Sequence, residues 1–206
     1  MSEHRSDAGD EALMARFQSG DRGAFALLVR RHQRPLYNFA LRHLASSVAA
    51  EEVVQDAFLR VVQSASDFRQ TSRFTAWLYT IARNLCIDAL RKKAQRPHRS
   101  LDEPASPNEG DAHGPSLAER TADRSANVER SALSLQMRAR LLLAVDQLPD
   151  DQREVFLLRE LSDLPFKEIA VVVGAPENTV KSRMRYALER LQAALSEFEE
   201  YARALR

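Results

Sequence analysis

The chain has 206 residues, of which 44% are hydrophobic, and this composition supports a buried core and excludes a wholly disordered protein. Its formal net charge of +1 gives no overall basic excess, so binding to an anionic partner would have to rest on a local cluster of cations. Cys86 is the only cysteine, which excludes an intrachain disulfide and a cysteine-based zinc site.

The N-terminal residues 1–23 are mainly polar and are interpreted as an arm that precedes the first domain. After this arm, apolar residues recur at steps of three and four between Phe25 and Ala40, which predicts an amphipathic helix. Pro35 interrupts this helix and can kink it.

Two further helices are predicted before residue 96. Ser46 and Ser47 precede an acidic first turn formed by Glu51 and Glu52, which is a typical helix start. The next helix begins after Thr71 and Ser72, either of which can cap it. Its inner face is lined by Phe74, Leu78, Ile81, Leu85 and Ala89.

A local excess of positive charge follows this last helix. Residues 83–99 contain six cations against one acid, Asp88, so the window has a net charge of +5 although the whole chain is nearly neutral. Such a patch is what contact with phosphates requires. The cations are Arg83, Arg91, Lys92, Lys93, Arg96 and Arg99.

Residues 97–130 are predicted to form a flexible linker. Four prolines and two glycines replace the helical pattern, and residues 101–119 contain acids but no Lys or Arg. This acidic stretch can be a solvated spacer or a strand that threads a basic channel. The prolines are Pro97, Pro104, Pro107 and Pro115.

Helical periodicity returns in a second domain, residues 131–198, which is followed by a tail at 199–206. Pro149 ends its first helix, and Asp150 or Asp151 can cap the next one. Because no segment alternates with a period of two, the fold class expected is all-α, with two helical domains joined by the linker. The repeating apolar positions are Leu133, Met137, Leu141, Ala144, Val145 and Leu148.

Residues 166–185 have the pattern of a helix-turn-helix. Ala170 is small enough for two helices to cross closely, Gly174 tolerates the positive φ of the turn, and Pro176 suits the first position of the second helix. Val180 and Met184 point inward. The outward residues are expected to contact DNA in the major groove, and they are Glu177, Asn178, Thr179, Lys181, Ser182, Arg183 and Arg185.

Several blocks together resemble the extracytoplasmic-function (ECF) sigma factors of the sigma-70 family. In the first domain they are residues 50–58 and 74–88, and in the second they are residues 148–149, 153–156 and 179–183. The resemblance implies that the first block binds the β′ clamp of core RNA polymerase. The residues at helical spacing on that face are Glu52, Gln55 and Asp56.

The second block resembles the part of these proteins that captures the non-template strand of the −10 element. Asn84 can bond a base edge, and the preceding turn can close over a flipped base. Trp77 can either pack in the core or wedge against a base. The residues implied in −10 binding are Arg69, Gln70, Thr71, Ser72, Arg83, Asn84, Arg91, Lys92 and Lys93.

The helix-turn-helix resembles the −35 reader, with Asp163 standing where a glycine is common and Pro165 where Ser or Thr is frequent. The resemblance also implies contact with the β flap of polymerase, promoter DNA as a partner, and control by an anti-sigma factor. The two promoter elements lie about 25 base pairs, roughly 85 Å, apart. A flexible linker can reach that far but cannot hold the distance, so polymerase must hold it.

Two other classes of protein can carry a C-terminal helix-turn-helix. A repressor or activator with a C-terminal helix-turn-helix is the alternative, and it would dimerise on two half-sites. A serine recombinase would need an α/β catalytic domain, for which the sequence offers no strands and no Ser and Arg cluster. We therefore expect no enzymatic activity.

Metal and membrane signals are weak. The five histidines fall at no metal-ligand spacing, so no metal or cofactor is expected. No N-terminal apolar segment suggests secretion, and the apolar run at 169–175 is too short to span a bilayer. The location expected is cytoplasmic.

Overall fold

The computed structural model of the chain describes residues 8–69, 72–95 and 124–196, with side chains from residue 135 onward in the last range. Within this part every regular element is helical, which confirms the all-α fold with two helical halves. The first half contains α1 (Asp10–Gln18), α2 (Arg22–Leu44), α3 (Ser47–Gln63), a 3-10 turn (Ala65–Asp67) and α4 (Phe74–Gln95). The second contains α5 (Arg124–Asp146), α6 (Asp150–Ser162), α7 (Phe166–Val173) and α8 (Glu177–Ala194).

The predicted start of α3 at Ser46 and Ser47 is confirmed, but Glu51 and Glu52 lie beyond its first turn, which contains no acid. The Ser46 hydroxyl accepts a hydrogen bond from the backbone N–H of Ala49 and caps the helix. The preceding helix, α2, continues through Pro35 to Leu44. It ends at Ala45, which takes the left-handed conformation with φ 50°.

The segment expected to be a polar arm, residues 1–23, contains a helix that belongs to the core. Leu13 and Met14 of α1 are fully buried, and the Phe17 ring stacks on Phe25 at 4.7 Å. The Asp10 carboxylate accepts from Arg31 at 2.8 Å and contacts the His32 ring nitrogen at 2.7 Å. With only three large apolar residues in nine, α1 has too short a pattern for periodicity to reveal it.

The cap of α4 also differs from the prediction. The Ser72 hydroxyl donates to the carbonyl of Arg69 instead of capping the helix, and Thr71 lies outside the described residues. The first N–H of α4, that of Phe74, donates to the Glu11 carboxylate of α1 at 3.0 Å. A side chain 63 residues away in sequence therefore supplies the cap.

α5 begins at Arg124, so residues 124–130, which were predicted to belong to the linker, are helical. Residues 96–123 lie outside the described residues, and so do both interpretations of the acidic stretch 101–119. The same holds for residues 197–206, which include the tail.

In the second half, the predicted turn of the helix-turn-helix is confirmed, since Gly174 has φ 68° and ends α7. Pro176 is the N-cap of α8, one position earlier than expected. Asp150 and Asp151 lie in the first turn of α6 without capping it, where their charges favour the helix dipole. Asp163 ends α6 in the left-handed conformation with φ 51°, which explains the preference for glycine there.

The two halves share one continuous hydrophobic core that extends from Leu13 to Leu191. α2 packs against α6, and α4 packs against α7, so the first half lies directly on the second. The largest fully buried side chains, Tyr79, Phe39 and Phe74, come from α2 and α4, and Phe39 meets Tyr79 edge to face at 5.2 Å. Among the described residues, no helix is long and apolar enough to cross a membrane.

Candidate functional site

The second helix of the helix-turn-helix, α8, buries one face and presents the other to solvent. Val180, Met184, Ala187 and Leu191 are buried, as the sequence predicted for the first two. Asn178, Lys181 and Arg185 are exposed, while the other predicted DNA contacts are half-buried: Glu177, Thr179, Ser182 and Arg183. This polar face can enter a major groove with its N-terminal residues toward the base edges.

The cations of α8 form ion pairs at the protein surface. Lys181 Nζ lies 2.7 Å from Glu177 Oε1, and Arg183 Nε lies 3.0 Å from Asp151 Oδ2 of α6. Arg185 Nε lies 3.7 Å from Glu189 Oε1. Exposed pairs of this kind contribute only about 0.2–1 kcal/mol, so a phosphate can replace the carboxylate at small expense.

The residues predicted for −10 binding occupy two places on the first half. Asn84 is exposed in the middle of α4, and Arg91, Lys92 and Lys93 are exposed near its C-terminal end. Arg69 and Ser72 are exposed before α4, whereas Gln70 and Thr71 lie outside the described residues. Asn84 and the cations at 91–93 thus lie on one helix, and Arg69 and Ser72 lie just before its first residue.

Arg83 differs from its neighbours because it is held across the contact between the two halves. Its Nε donates to Glu154 Oε1 of α6 at 2.7 Å, and its Nη2 donates to Glu154 Oε2 at 3.4 Å. This bidentate contact uses two of the five N–H donors of the guanidinium and holds the side chain against α6. The structure therefore joins a predicted DNA contact to the other half of the chain.

Glu154 is also close to His43 of α2. The His43 Nδ1 lies 2.8 Å from the carbonyl of Phe39, which can only accept, so Nδ1 carries the hydrogen. His43 Nε2 lies 3.8 Å from Glu154 Oε1 and has no hydrogen-bond partner. Burial raises the pKa of Glu154, but His43 and Arg83 outweigh it and hold this pKa below its usual value.

Other polar contacts continue along the same boundary. Arg42 Nη1 of α2 donates to both carboxylate oxygens of Asp146, at 2.9 Å and 2.6 Å. Arg73 Nε lies 3.3 Å from Glu168 Oε1 of α7, and the Tyr79 hydroxyl donates to the Leu161 carbonyl at 3.4 Å. The contacts in this paragraph and the cluster of Arg83, His43 and Glu154 lie along one boundary between the two halves. We call this boundary the interdomain contact.

Burial also controls the single thiol at this boundary. Burial, reinforced by the charge of Glu154, raises the pKa of Cys86 to about 12. The thiol therefore stays protonated and unreactive at neutral pH. Among the described residues, no group of three or more His, Cys, Asp or Glu could hold a metal ion.

The predicted polymerase-binding residues lie on one exposed face of α3. Glu52, Gln55 and Asp56 are all exposed. The structure adds two apolar residues to this face, Val48 at 66% and Leu59 at 54% exposure. Val48, Glu52, Gln55 and Leu59 follow the four- and three-residue steps of a coiled-coil seam, which suits a helical partner. The sequence could have indicated this apolar part of the face, because Val48 and Leu59 do not share the helical spacing of the buried residues of α3.

Family comparisons agree with this division into two halves. Residues 28–96 match the family model described as Sigma-70 region 2, and residues 138–191 match Sigma-70, region 4. The chain is 36% identical over 180 residues to the ECF RNA polymerase sigma-E factor of Escherichia coli (strain K12), covering 87% of this chain and 91% of that protein. It is 34% identical over 188 residues to the RNA polymerase sigma-H factor of Pseudomonas aeruginosa, covering 90% and 93%.

Two solved structures are similar to the whole arrangement. One is CnrH in complex with the cytosolic domain of CnrY, with a TM-score of 0.62, 25% identity, and coverage of 92% of this chain and 99% of that one. The other is the sigma factor RpoE with the anti-sigma factor NepR from Bartonella quintana, with a TM-score of 0.59, 25% identity, and coverage of 84% and 96%.

A helical region 2 and a helix-turn-helix region 4 on one chain define a sigma factor of the sigma-70 family. The identity to the sigma-E and sigma-H factors over nearly the whole length shows that the chain belongs to the ECF group of this family. It is thus an alternative sigma factor, which directs RNA polymerase to promoters.

Proposed function

We propose that three surfaces of this sigma factor divide the work of initiation. The exposed face of α3 binds core polymerase, α4 with the segment before it takes the −10 strand, and α8 reads the −35 element. The observation that carries this proposal is that each surface presents polar or charged side chains, joined on α3 by Val48 and Leu59, on a helix whose opposite face is buried. These tasks consist of binding, so we assign no enzymatic activity.

On polymerase, the α3 face would dock on a helix of the β′ clamp. Glu52 and Asp56 would meet cations, while Val48 and Leu59 would be covered by apolar side chains of the partner. The β flap is expected to hold the second half of the chain. The compartment implied is the cytoplasm, where polymerase and the chromosome meet.

On DNA, α8 would contact base edges through Glu177, Asn178 and Lys181 near its N-terminal end, with Arg183 and Arg185 on phosphates. Asn84 would take the edge of a −10 base that has left its stack, and the cations 91–93 would hold the backbone. Trp77 contacts Phe68 at 5.2 Å and Phe74 at 6.2 Å, so we assign it to the aromatic core instead of to base stacking.

The two halves must separate before both elements can be read at once. The promoter elements are about 25 base pairs apart, roughly 85 Å. In the structure the two halves are joined by a hydrogen bond of 2.7 Å between Arg83 and Glu154. We therefore infer that the interdomain contact belongs to an inactive, closed form and that binding to polymerase opens it.

An anti-sigma factor would stabilise this closed form. Support comes from the similar sigma factor RpoE, which was solved with its anti-sigma factor NepR. If this sigma factor is controlled in the same way, an inhibitory protein will co-purify with it from cells that do not transcribe its target genes. Purification without any inhibitory partner under those conditions would count against the idea.

The decisive experiment is transcription by core polymerase with the full chain on promoters selected from a genomic library. We expect specific initiation, and we expect Lys181→Ala to reduce it on the duplex promoter more than Glu160→Ala, an exposed control on α6. A Glu52→Arg variant should lose affinity for core polymerase. If no promoter supports specific initiation and the free chain binds a palindrome as a dimer, the protein is a regulator of another kind.

A further inference from the structure

α1 is hydrogen-bonded to both ends of the segment that joins α3 to α4. At the first end, Gln18 Nε2 donates to the carbonyl of Ala65 at 2.7 Å and to that of Phe68 at 3.0 Å. At the other end, Glu11 Oε1 accepts from the backbone N–H of Phe74 at 3.0 Å. One short helix thus bridges the two flanks of the turn that carries Arg69 and Ser72.

Both side chains have the chemistry that these sites require. The Gln18 amide group has two hydrogens, and each meets one backbone carbonyl at the end of α3 and its 3-10 turn. The Glu11 carboxylate satisfies an N–H that has no partner inside α4, and its charge lies at the positive end of the helix dipole.

α1 itself is fixed firmly enough to act as a brace. Leu13 and Met14 are fully buried between these two contacts. Asp10 is held by Arg31 and His32, and the His32 ring lies 5.5 Å from the ring of Phe74. α1 is therefore fixed both to α2 and to the first residue of α4.

We propose that Glu11 and Gln18 are positioning residues for capture of the −10 base. They hold the flanks at 65–69 and 72–74 in one conformation, so that Arg69 and Ser72 already stand beside the start of α4 when a base leaves the duplex. Ordering these residues before binding removes an entropy loss that would otherwise fall on the opening step. This inference rests on the proposed −10 function of α4.

Isosteric variants separate positioning from folding. Gln18→Glu keeps the shape but sets a carboxylate against two carbonyl oxygens, whereas Gln18→Lys retains a donor. Glu11→Leu removes the acceptor, whereas Glu11→Gln retains an oxygen that can accept from Phe74. Gln33→Glu adds the same charge as Gln18→Glu at an exposed position on α2 and serves as the matched control.

The test uses holoenzyme and a forked DNA with a duplex −35 part and a single-stranded non-template −10 part. Affinity is measured for the intact strand and for strands with one abasic position at a time. With unaltered protein, we expect one abasic position to lower the affinity at least tenfold relative to the intact strand. In Gln18→Glu and Glu11→Leu this ratio of affinities should fall to threefold or less, whereas Gln18→Lys, Glu11→Gln and Gln33→Glu should retain it. The affinity for core polymerase should stay within twofold in all variants.

The outcomes distinguish failure of the inference about α1 from failure of the proposed −10 function. If unaltered protein discriminates and the two disruptive variants discriminate equally well, α1 is not a brace for base capture and the inference is overturned. If unaltered protein shows no abasic loss at any −10 position, the proposed −10 function fails first and the inference falls with it. Uniform weakening on every strand with the ratio unchanged would indicate a purely structural role and would also overturn the inference.

Discussion

Arg83 of α4 and Glu154 of α6 form a two-pronged ion pair across the halves of the chain, with the Nε to Oε1 distance at 2.7 Å. Only 23% of the Arg83 side chain and 13% of the Glu154 side chain are exposed. Removing one partner of a pair shielded to this degree leaves the other charge without its hydrogen bonds, at a cost of about 1–3 kcal/mol. The pair therefore joins a predicted DNA contact to the state of the whole molecule.

Removing the charge of Glu154 should open the closed form. Glu154→Gln keeps the volume of the side chain but loses the ion pair, so the ratio of closed to open molecules should fall by roughly tenfold or more. Energy transfer between labels on the two halves of the free protein measures that ratio. Glu160→Gln, an exposed position on the same helix, should leave it unchanged. Equal energy transfer in both variants would show that Glu154 does not hold the halves together.

The closed form should also depend on pH. The pKa of Glu154 lies below its usual value in the structure, so its stabilising effect is complete above the ordinary pKa of a glutamate and disappears as the pH falls through the lowered value. Cys86, with a pKa of about 12, does not titrate in this range. Acid titration of the energy transfer should show this loss, and Glu154→Gln should lack it.

Asp10 provides the control for that titration. Burial raises its pKa, but His32 and Arg31 outweigh burial and lower it, so Asp10 loses its contribution in the same acidic window. Asp10→Asn should weaken the docking of α1 while the acid-dependent separation of the halves persists. If Asp10→Asn abolished the acid-dependent separation, the pH response would belong to Asp10 and not to Glu154.

Asn84→Ala should impair promoter opening more than initial binding to the duplex. Asn84 is exposed one residue beyond Arg83, and in the proposed −10 function it takes a base that has left its stack, so this contact forms only after the strand has opened. We expect open complexes to decrease by roughly tenfold, measured by permanganate reactivity of the −10 thymines. Asn38→Ala, an exposed asparagine on α2, is the matched control. Unchanged permanganate reactivity in Asn84→Ala would contradict the assignment.

Two helix ends should respond oppositely to exchange between alanine and glycine. Ala45 has φ 50°, so Ala45→Gly removes backbone strain and should stabilise the protein by about 1 kcal/mol. Gly174 has φ 68° with open space where a Cβ would stand, so Gly174→Ala should destabilise it by about 1 kcal/mol through conformation alone. Thermal unfolding of each variant measures both, and shifts of the same sign would refute the argument.

Features that depend on residues close together in the sequence could be predicted, and contacts between residues far apart in the sequence could not. The start of α3 at Ser46 and Ser47, the turn at Gly174 and the inward Val180 and Met184 depend mainly on nearby residues, and all three predictions are confirmed. Asp163, noted from the sequence only as standing where a glycine is common, has the left-handed φ of 51° that a glycine adopts without strain.

Contacts between distant residues left no trace in the pattern. Glu11 reaches Phe74 across 63 residues, Arg83 reaches Glu154 across 71, and Arg42 reaches Asp146 across 104. An acid or a cation at these positions looks like any solvated surface residue until the fold brings its partner near. α1 escapes prediction for another reason, because its apolar pattern is too short to show periodicity. The DNA and polymerase roles of the surface residues stay predictions.

The interdomain contact adds charged side chains to the hydrophobic core that the two halves share, and this gives ionic strength two opposite effects. Added salt screens Arg42–Asp146 and Arg73–Glu168, which are more exposed than Arg83–Glu154, and so weakens the closed form. The same ions compete with Lys and Arg for promoter phosphates, and affinity for DNA falls steeply. Initiation should therefore pass through a maximum at intermediate salt, and in Glu154→Gln that maximum should move toward lower concentration because less screening is needed to release the halves.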